Sequence, residues 1–328
     1  MKSLDVALAD VHRNADSTAF VICYAADCDM GGGMRPFVGR YRSLEHFHDT
    51  LEAAVEQAHI DILLTSVSAM DVLARDRQLF TGSPVTPAVR ANDTTDIWKA
   101  RGGNYLAERS RPFASTTVRE AMYGTLTPTL GQVPDVDLGL WSITFNNDID
   151  ADERSLERFR QFRQEAADEG FRYFVEVFNP NAPNPIDGPV ADYVNDCITR
   201  MFAGVPRATQ PQFLKVAYNG PQALEDLVAY TPLVVGVLGG PASTAHDTFK
   251  LVSEVKQHGG RVALLGRRIR EADDPLAMIE LLRHVADGAV EPDDATREYH
   301  GRLGAQGITP SRSLEDDLVI ETPELLGT

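Results

Sequence analysis

The sequence predicts an α/β protein built as a closed (β/α)8 barrel, with a further helix and a tail at its C-terminal end. Eight short runs rich in Val, Ile and Leu recur along the chain, as expected for parallel strands that are buried on both faces. Longer segments with apolar residues at three- and four-residue spacing lie between them, which is typical of helices packed on a sheet. The length of 328 residues also suits a single large α/β barrel.

The strand candidates lie within the first 265 residues. They span residues 20–25, 61–65, 85–89, 138–145, 173–178, 213–217, 233–238 and 262–265. The helical stretches between them include residues 44–58, 151–169, 221–229, 245–258 and 275–287. Acidic residues at 148–153 complement the dipole at a helix start, and Gly170 and Gly259 stand where helices have to end. This alternation favours a closed barrel, and an open doubly wound sheet is the alternative.

The C-terminal part of the chain differs from the barrel pattern. After residue 287 the chain becomes acidic and loop-like, and one amphipathic helix is expected around residues 294–303. Residues 306–328 contain several turn residues and little periodicity. We therefore assign residues 1–287 to the barrel domain and residues 288–328 to a C-terminal helix and tail. We expect this second part to pack on the barrel or on a neighbouring subunit.

The composition narrows the classes of partner. The chain has 31 Lys and Arg against 48 Asp and Glu, which gives a formal net charge of −17 at pH 7. Because nucleic-acid binding needs a basic face, we expect no nucleic-acid partner. The sequence lacks a run of about 20 apolar residues, and its N-terminus lacks the apolar core of a signal peptide, so we also expect no membrane partner.

The cysteines and histidines predict neither disulfides nor a metal site. Cys23, Cys28 and Cys197 form no CxxC pair, and their odd number is typical of reduced thiols, which predicts a cytoplasmic protein. The eight histidines lack a ligand spacing such as HExxH. A P-loop, a GxGxxG turn after the first strand and a GxSxG elbow are also missing from the sequence. We therefore expect no metal and no organic cofactor.

Lys215 is the strongest candidate for a catalytic side chain. It is one of only five lysines and lies in the apolar run at residues 213–218. An amine among apolar residues loses hydration, which favours its neutral, nucleophilic form and suits Schiff-base formation with a carbonyl compound. The alternative is a lysine at a strand end whose aliphatic part is buried while its charge reaches water.

Glu176 is expected to share a cavity with Lys215. Side chains alternate along a strand, so Phe213 and Lys215 share one face of the sixth strand, and Phe174 and Glu176 share one face of the fifth. If the more aliphatic faces contact the helices, Lys215 and Glu176 both point into the barrel. Glu176 could then transfer protons during imine formation and C–C cleavage. The alternative is a buried Lys–Glu ion pair with a structural role.

Asp27 is the third catalytic candidate. It follows the first strand and precedes three consecutive glycines at residues 31–33. An acid at the C-terminal end of a barrel strand, beside a flexible loop, suits a group that binds or deprotonates a substrate hydroxyl. The alternative is an aspartate that serves only the turn or caps a helix.

A phosphate site is predicted after the last two strands. The seventh strand runs into Gly239 and Gly240, with Ser243 just before a helix, and the eighth runs into Gly266 and Arg267. Backbone N–H groups at glycine turns and at a helix N-terminus attract anions, and these two loops are the usual phosphate position in such barrels. A charge-assisted contact from the arginine would add to the site. Plain turn geometry is the alternative.

Together these segments resemble the class I (Schiff-base) aldolases of the archaeal-type fructose-bisphosphate and tagatose-bisphosphate kind. The resemblance covers roughly residues 20–287. Residues 215–220 (KVAYNG) are similar to the family's Lys-x-x-Tyr-Thr-Gly segment around the imine lysine. Residues 239–241 (GGP) and 265–267 (LGR) follow in the family's order, and residues 113–121 resemble the segment that opens its third helix.

The resemblance implies a homo-oligomeric (β/α)8 barrel that acts without a metal on a ketose phosphate or related carbonyl compound. It makes Lys215 the nucleophile and places Asp27 near the family's first-strand acid. It also implies that Gly240, Gly266 and Arg267 bind phosphate.

The sequence departs from the fructose-bisphosphate type at two positions. Phe178 stands where those enzymes use a tyrosine as proton donor, whereas Glu176 resembles the fifth-strand glutamate of the tagatose-bisphosphate type. Leu238 replaces the serine that often precedes the Gly-Gly-Pro turn. These departures argue against fructose bisphosphate as the substrate.

The sequence thus predicts a metal-independent class I aldolase that acts on a sugar phosphate or phosphorylated keto compound through an imine on Lys215. In this hypothesis Glu176 transfers protons and Asp27 assists. One alternative is an acyl- or glycol-transferring or synthase relative that uses the same lysine. The other is a non-catalytic barrel that binds a phosphorylated metabolite and keeps Lys215 as an ion-pair partner.

Overall fold

Eight parallel strands form a closed barrel in a computed structural model that describes residues 1–326. Each strand pairs with its neighbours in the chain, and the last strand pairs with the first. The barrel strands, numbered β1–β8, span Val21–Ala25, Ile62–Thr65, Thr86–Arg90, Leu138–Thr144, Arg172–Phe178, Leu214–Val216, Val235–Leu238 and Val262–Leu265. The predicted (β/α)8 fold is confirmed, and the open-sheet alternative is wrong.

Helices lie between the strands and cover the outside of the barrel. The helices α1–α13 span Ser3–Arg13, Cys28–Gly32, Leu44–Glu56, Val67–Met70, Val118–Tyr123, Ile149–Glu169, Val190–Ala203, Pro221–Tyr230, Ala245–Gln257, Arg267–Arg270, Pro275–Asp287, Pro292–Ala305 and Leu314–Asp317. A π-helical segment, Asp71–Asp76, continues α4, and the loop after β3 contains an antiparallel ribbon of Asp93–Thr94 with Pro112–Phe113. No helix in residues 1–326 combines the length and the apolar character needed to cross a membrane.

Local sequence signals fix the ends of the longest helix, α6. The carboxylate of Asp148 accepts a hydrogen bond from the N–H of Ala151 at 2.9 Å, which satisfies one of the unpaired donors of the first turn. Gly170 ends the helix with φ of +70°, a left-handed conformation that favours glycine. These caps set the chain direction into β5, which carries a key part of the site.

Alternating side chains divide the core into two layers. The inner layer fills the barrel and includes Phe174 from β5 and Phe213, which directly precedes β6. Leu4 and Leu8 of α1 belong to the same layer, so α1 covers the N-terminal end of the barrel. Full burial of each such leucine contributes about 1.5–3 kcal/mol. The opposite end of the barrel carries the site.

The C-terminal segment packs on the barrel of its own chain. Leu303 of α12 is fully buried, and the buried carboxylate of Asp247 in α9 accepts hydrogen bonds from the backbone N–H groups of Glu321 and Thr322 at 3.0–3.2 Å. The tail thus lies against the N-terminus of α9, beside the loop that follows β7. The last two residues of the predicted tail, 327 and 328, lie outside the described residues.

Candidate active site

The candidate site starts from the register of β4, β5 and β6. Ser142 pairs with Glu176, and Glu176 pairs with Lys215, so the three residues lie at one level of the barrel. Two residues earlier, the rings of Phe174 and Phe213 stack with their centroids 4.5 Å apart. An apolar aromatic layer therefore supports a polar layer. The low local dielectric strengthens electrostatic interactions between these polar groups.

Lys215 and Glu176 form an ion pair inside the barrel. Lys215 Nζ lies 2.5 Å from Glu176 Oε1, and the two residues are 5% and 2% exposed. Both side chains point inward, on the faces that strand alternation indicates. At this distance a proton can pass directly between the amine and the carboxylate.

Arg90, the last residue of β3, connects the two acids of the site. Its guanidinium donates hydrogen bonds to Asp27 Oδ2, to Ser142 Oγ at 2.7 Å and to Glu176 Oε2 at 3.2 Å. Ser142 Oγ in turn donates to Glu176 Oε2 at 2.7 Å. Every ionised side chain of this cluster therefore has a partner of opposite charge, which buried charges require.

Asp27 lies at the C-terminal end of β1, where it precedes the short helix α2. Burial alone would raise the pKa of its carboxyl group, but the positive charges of Arg90 and Lys215 outweigh this and lower the pKa. Asp27 is therefore ionised at neutral pH. It belongs to the same charged cluster as the other two catalytic candidates.

The four charged residues lie at the bottom of a cavity of about 230 Å³ that opens at the C-terminal end of the barrel. Its lining includes Lys215, Glu176, Arg90 and Asp27, together with Phe178 from the end of β5. Phe178 stands at the position where the sequence resemblance to fructose-bisphosphate aldolases implies a tyrosine. The nearest acid to the lysine is therefore Glu176 and not a phenol.

The predicted phosphate residues divide into two groups. Gly239, Gly240, Gly266 and Arg267 line the cavity. Gly240 has φ of +69°, so a residue with a Cβ would be strained there. Ser243 lies outside the lining, and its hydroxyl accepts a hydrogen bond from Arg268. The structure thus brings four of these five residues together above Lys215.

A group of positive side chains surrounds the mouth of this cavity. Lys99, Arg267 and Arg270 line the cavity. The same three residues also line a second, outer cavity, and Arg35 belongs to the lining of that outer cavity. Burial lowers the pKa of Arg267 and of Lys99, and neighbouring positive charges act on both in the same direction. In residues 1–326, the buried Nε of Arg270 has no hydrogen-bond partner. This concentration of positive charge suits an anionic ligand.

The loops after β1 and β3 form one wall of the mouth. The backbone N–H of Lys99 donates to Gly31 O at 2.5 Å and so links the two loops. Trp98 stacks on Tyr105 with ring centroids 5.0 Å apart, outside the cavity lining. Cys28 lies at the base of the first loop, and burial raises the pKa of its thiol to about 11. This thiol is therefore protonated and serves packing.

Arg90 contacts both acids of the site but was not among the residues predicted from the sequence. The predicted third strand ended at residue 89, so Arg90 was assigned to neither strand nor site. A signal for it exists, because it is a lone charge at the end of an apolar strand, and alternation places it on the same face as the buried Ala88. Ser142 had no comparable signal, since a serine in a strand is common.

The closed ring of eight parallel strands makes the protein a (β/α)8 barrel. Among solved structures, the chain is similar to an archaeal fructose 1,6-bisphosphate aldolase, with a TM-score of 0.62 and 17% identity over 86% of this chain and 99% of that chain. It is also similar to the fructose-bisphosphate aldolase from Slackia heliotrinireducens, with a TM-score of 0.63 and 14% identity over 92% of both chains.

A further similar structure is an archaeal fructose-1,6-bisphosphate aldolase whose catalytic Lys is covalently bound to the carbinolamine intermediate of its substrate. Its TM-score is 0.61, with 16% identity over 85% of this chain and 99% of that chain. No protein-family model and no curated protein matches the sequence. At these identities the comparisons establish a shared fold, and they support the resemblance found in the sequence at that level.

Proposed function

We propose that the protein is a class I aldolase that cleaves or forms a C–C bond in a sugar phosphate or phosphorylated keto compound through an imine on Lys215. The observation that carries this proposal is the 2.5 Å contact between a buried lysine and a buried glutamate at the bottom of an open cavity. The predicted metal-independent chemistry follows from this proposal, because the iminium itself serves as the electron sink.

Imine formation requires several proton transfers, and Glu176 takes part in two of them in this proposal. Glu176 first accepts a proton from the Lys215 ammonium, and the neutral amine attacks the carbonyl carbon of the substrate. The attached nitrogen then passes one of its protons to the former carbonyl oxygen, which gives a neutral carbinolamine. Glu176 then supplies the proton with which this hydroxyl leaves as water, and the iminium remains on Lys215.

C–C cleavage requires a base for the substrate hydroxyl on the far carbon of the bond that breaks, which becomes the aldehyde carbon. Asp27 is ionised and lines the same cavity, so it can accept this proton. The C–C electron pair moves into the iminium to give an enamine, and an aldehyde leaves. Protonation of the enamine carbon and addition of water then release the keto product and free Lys215.

The mouth of the cavity supports a phosphorylated substrate. Arg267 and Gly240 lie above the lysine, and Lys99 and Arg270 add positive charge. A phosphate held there would orient the carbonyl group toward the amine, and positioning of this kind lowers the entropic barrier to attack. The fold shared with the archaeal aldolase whose catalytic Lys is covalently bound to a carbinolamine intermediate also supports the proposal.

Borohydride trapping tests the imine. The protein is incubated with dihydroxyacetone phosphate, and separately with a panel of other keto compounds, and is then reduced and mapped by peptide mass spectrometry. We expect a stable adduct on Lys215 that is absent from Lys215→Met, whose lyase turnover falls by about 1000-fold or more. Peptide mapping separates Lys215 from Lys99, which also lines the cavity, and Lys250→Met is the matched control because Lys250 pairs with Glu254 elsewhere.

The satisfied ion pair between Lys215 and Glu176 also favours a second candidate, a barrel that binds a phosphorylated metabolite without catalysis. Absence of any adduct across the panel, with dihydroxyacetone phosphate still bound, would replace the aldolase proposal with this one. An adduct without aldehyde release or uptake would instead indicate a transferring or synthase relative. Product analysis with candidate aldehydes separates that case.

A further inference from the structure

Arg90 is the second positive charge of the barrel interior, and it carries an inference that rests on the proposed function. The residue is 5% exposed, and its guanidinium donates to Asp27, Ser142 and Glu176. A guanidinium stays protonated in proteins, and the charges of Asp27 and Glu176 outweigh burial to raise its pKa further. Arg90 is thus a fixed charge at every pH at which the protein is folded.

The two carboxylate oxygens of Glu176 have different partners, and Arg90 binds only one of them. Oε2 accepts hydrogen bonds from Arg90 at 3.2 Å and from Ser142 at 2.7 Å, whereas Oε1 lies 2.5 Å from Lys215 Nζ. A proton on Oε2 would have to displace two donors. A proton accepted by Glu176 therefore resides on Oε1, the oxygen that faces the reacting nitrogen.

Arg90 also keeps the charge of the interior balanced during proton transfer. Burial raises the pKa of the nearby Asp93 to about 7. Below that pH, Asp93 is uncharged, and Lys215 and Arg90 are matched by Glu176 and Asp27. When the proton moves from Lys215 to Glu176, these two groups become neutral, and Arg90 still matches Asp27. Without Arg90, the buried cluster would hold two carboxylates and one ammonium. The excess negative charge would favour the ammonium form of Lys215 over the neutral amine.

We propose that Arg90 is a positioning residue for the imine-forming step. It orients Glu176 so that Oε1 exchanges protons with Lys215, and its positive charge favours the neutral amine of Lys215. Arg90 acts through Glu176 and Lys215. Its removal should consequently change the rate and the pH dependence of imine formation more than the binding of substrate.

The test compares Arg90→Met, Arg90→Lys and Ser142→Ala with the wild-type protein. The readouts are the rate of borohydride-trapped adduct with dihydroxyacetone phosphate as a function of pH, and the Kd for inorganic phosphate. We expect Arg90→Met to lower the trapping rate on the order of 100-fold and to move its pH midpoint upward, with the phosphate Kd changed by less than about 3-fold. Arg90→Lys should restore the midpoint but only part of the rate, because lysine lacks the planar fork that reaches three partners.

Ser142→Ala keeps the inference testable if Arg90→Met does not fold. It removes one donor to Glu176 Oε2 and leaves all charges in place, so we expect a loss of roughly 10-fold in rate with an unchanged pH midpoint. A wild-type rate and pH profile in a folded Arg90→Met would overturn the inference, as would equal defects in Arg90→Lys and Arg90→Met at an unchanged midpoint. If the wild-type protein itself forms no adduct, the proposed function fails and this inference fails with it.

Discussion

The barrel interior and the mouth of the cavity hold positive charge in different ways. In the interior, Lys215 and Arg90 contact Glu176 and Asp27, and the guanidinium and the shared serine complete the hydrogen bonds of Glu176. Each charge there has its counter-charge within the protein. The cluster is therefore fixed before any ligand arrives.

At the mouth, positive groups outnumber negative ones. In residues 1–326, Arg35, Lys99 and Arg267 have no salt-bridge partner, although the whole chain has a net charge of −17. Arg270 pairs with Glu271 at 2.6 Å, the one acid in this part of the lining. Unmatched cations at a cavity rim attract anions and raise their local concentration.

The difference in charge pairing between the interior and the mouth matches two separate requirements of catalysis, proton transfer and substrate binding. Proton transfer needs groups whose positions and charges are fixed in advance, and the interior provides them. Capture of an anionic substrate needs charge that only the ligand neutralises, and the mouth provides it. Changes in the interior should therefore affect chemistry and stability, while changes at the mouth should affect affinity.

The largest effect concerns Asp93, a carboxyl group near Arg90 that would disturb the interior balance if it were charged. Burial raises its pKa to about 7 from 3.8, against the opposing charge of Arg90. Between these values the folded protein binds a proton that the unfolded chain lacks, so stability falls as the pH rises from about 4 to 7. Asp93→Asn removes this fall and should stabilise the protein at pH 8 by up to about 4 kcal/mol.

Urea unfolding at pH 4.5, 6 and 8 measures this effect. The variant should gain on the wild-type protein as the pH rises, and the exposed Asp187→Asn should follow the wild-type curve. Parallel curves for Asp93→Asn and the wild-type protein would mean that Asp93 is already charged in the folded protein at pH 4.5 and 6, so that the interior holds a third anion over the whole range.

At the mouth, Arg267→Met removes an unmatched charge above the lysine. We expect the Kd for dihydroxyacetone phosphate to rise by about 10–100-fold, the equivalent of one charge-assisted hydrogen bond. The trapping rate at saturating ligand should stay within about 3-fold of wild type. Titration calorimetry and trapping kinetics give the two values, and the exposed Arg207→Met is the control. A lower trapping rate at saturating ligand with an unchanged Kd would mean that Arg267 acts in imine formation and not in substrate binding.

The sequence predicted the fold because each strand and helix carries its own signal. Buried parallel strands need apolar runs, and their helices need one apolar stripe, so their alternation favoured a closed barrel over an open sheet. Strand periodicity also placed Lys215 and Glu176 on inward faces, because side-chain direction follows from position in the strand.

The charge network could not be predicted, because it depends on contacts between distant parts of the chain. Arg90 lies 63 residues from Asp27 and 86 from Glu176 in sequence, and only barrel closure brings them together. The position of Ser243 outside the cavity lining could not be predicted for the same reason, because it depends on a contact with a distant residue. A serine before a helix suits an anion site, but Arg268 from the next strand's loop occupies its hydroxyl.

The smallest expected effect concerns the C-terminal tail, which supports the mouth from outside. Thr322 Oγ1 donates to the buried carboxylate of Asp247 at 2.8 Å, and Arg268, which contacts Thr322, also donates to Gly239 O in the loop after β7. Thr322→Val removes the hydroxyl but keeps the side-chain shape, so unfolding should become easier by about 1 kcal/mol. The phosphate Kd should rise by no more than about 3-fold, since the charged groups of the mouth remain.

Urea unfolding and phosphate titration measure the two effects, with the exposed Thr127→Val as the control. A loss of affinity as large as that of Arg267→Met would make the tail part of the anion site itself. In that case the mouth would depend on fixed internal contacts as the interior does, and the separation between the two regions would no longer hold.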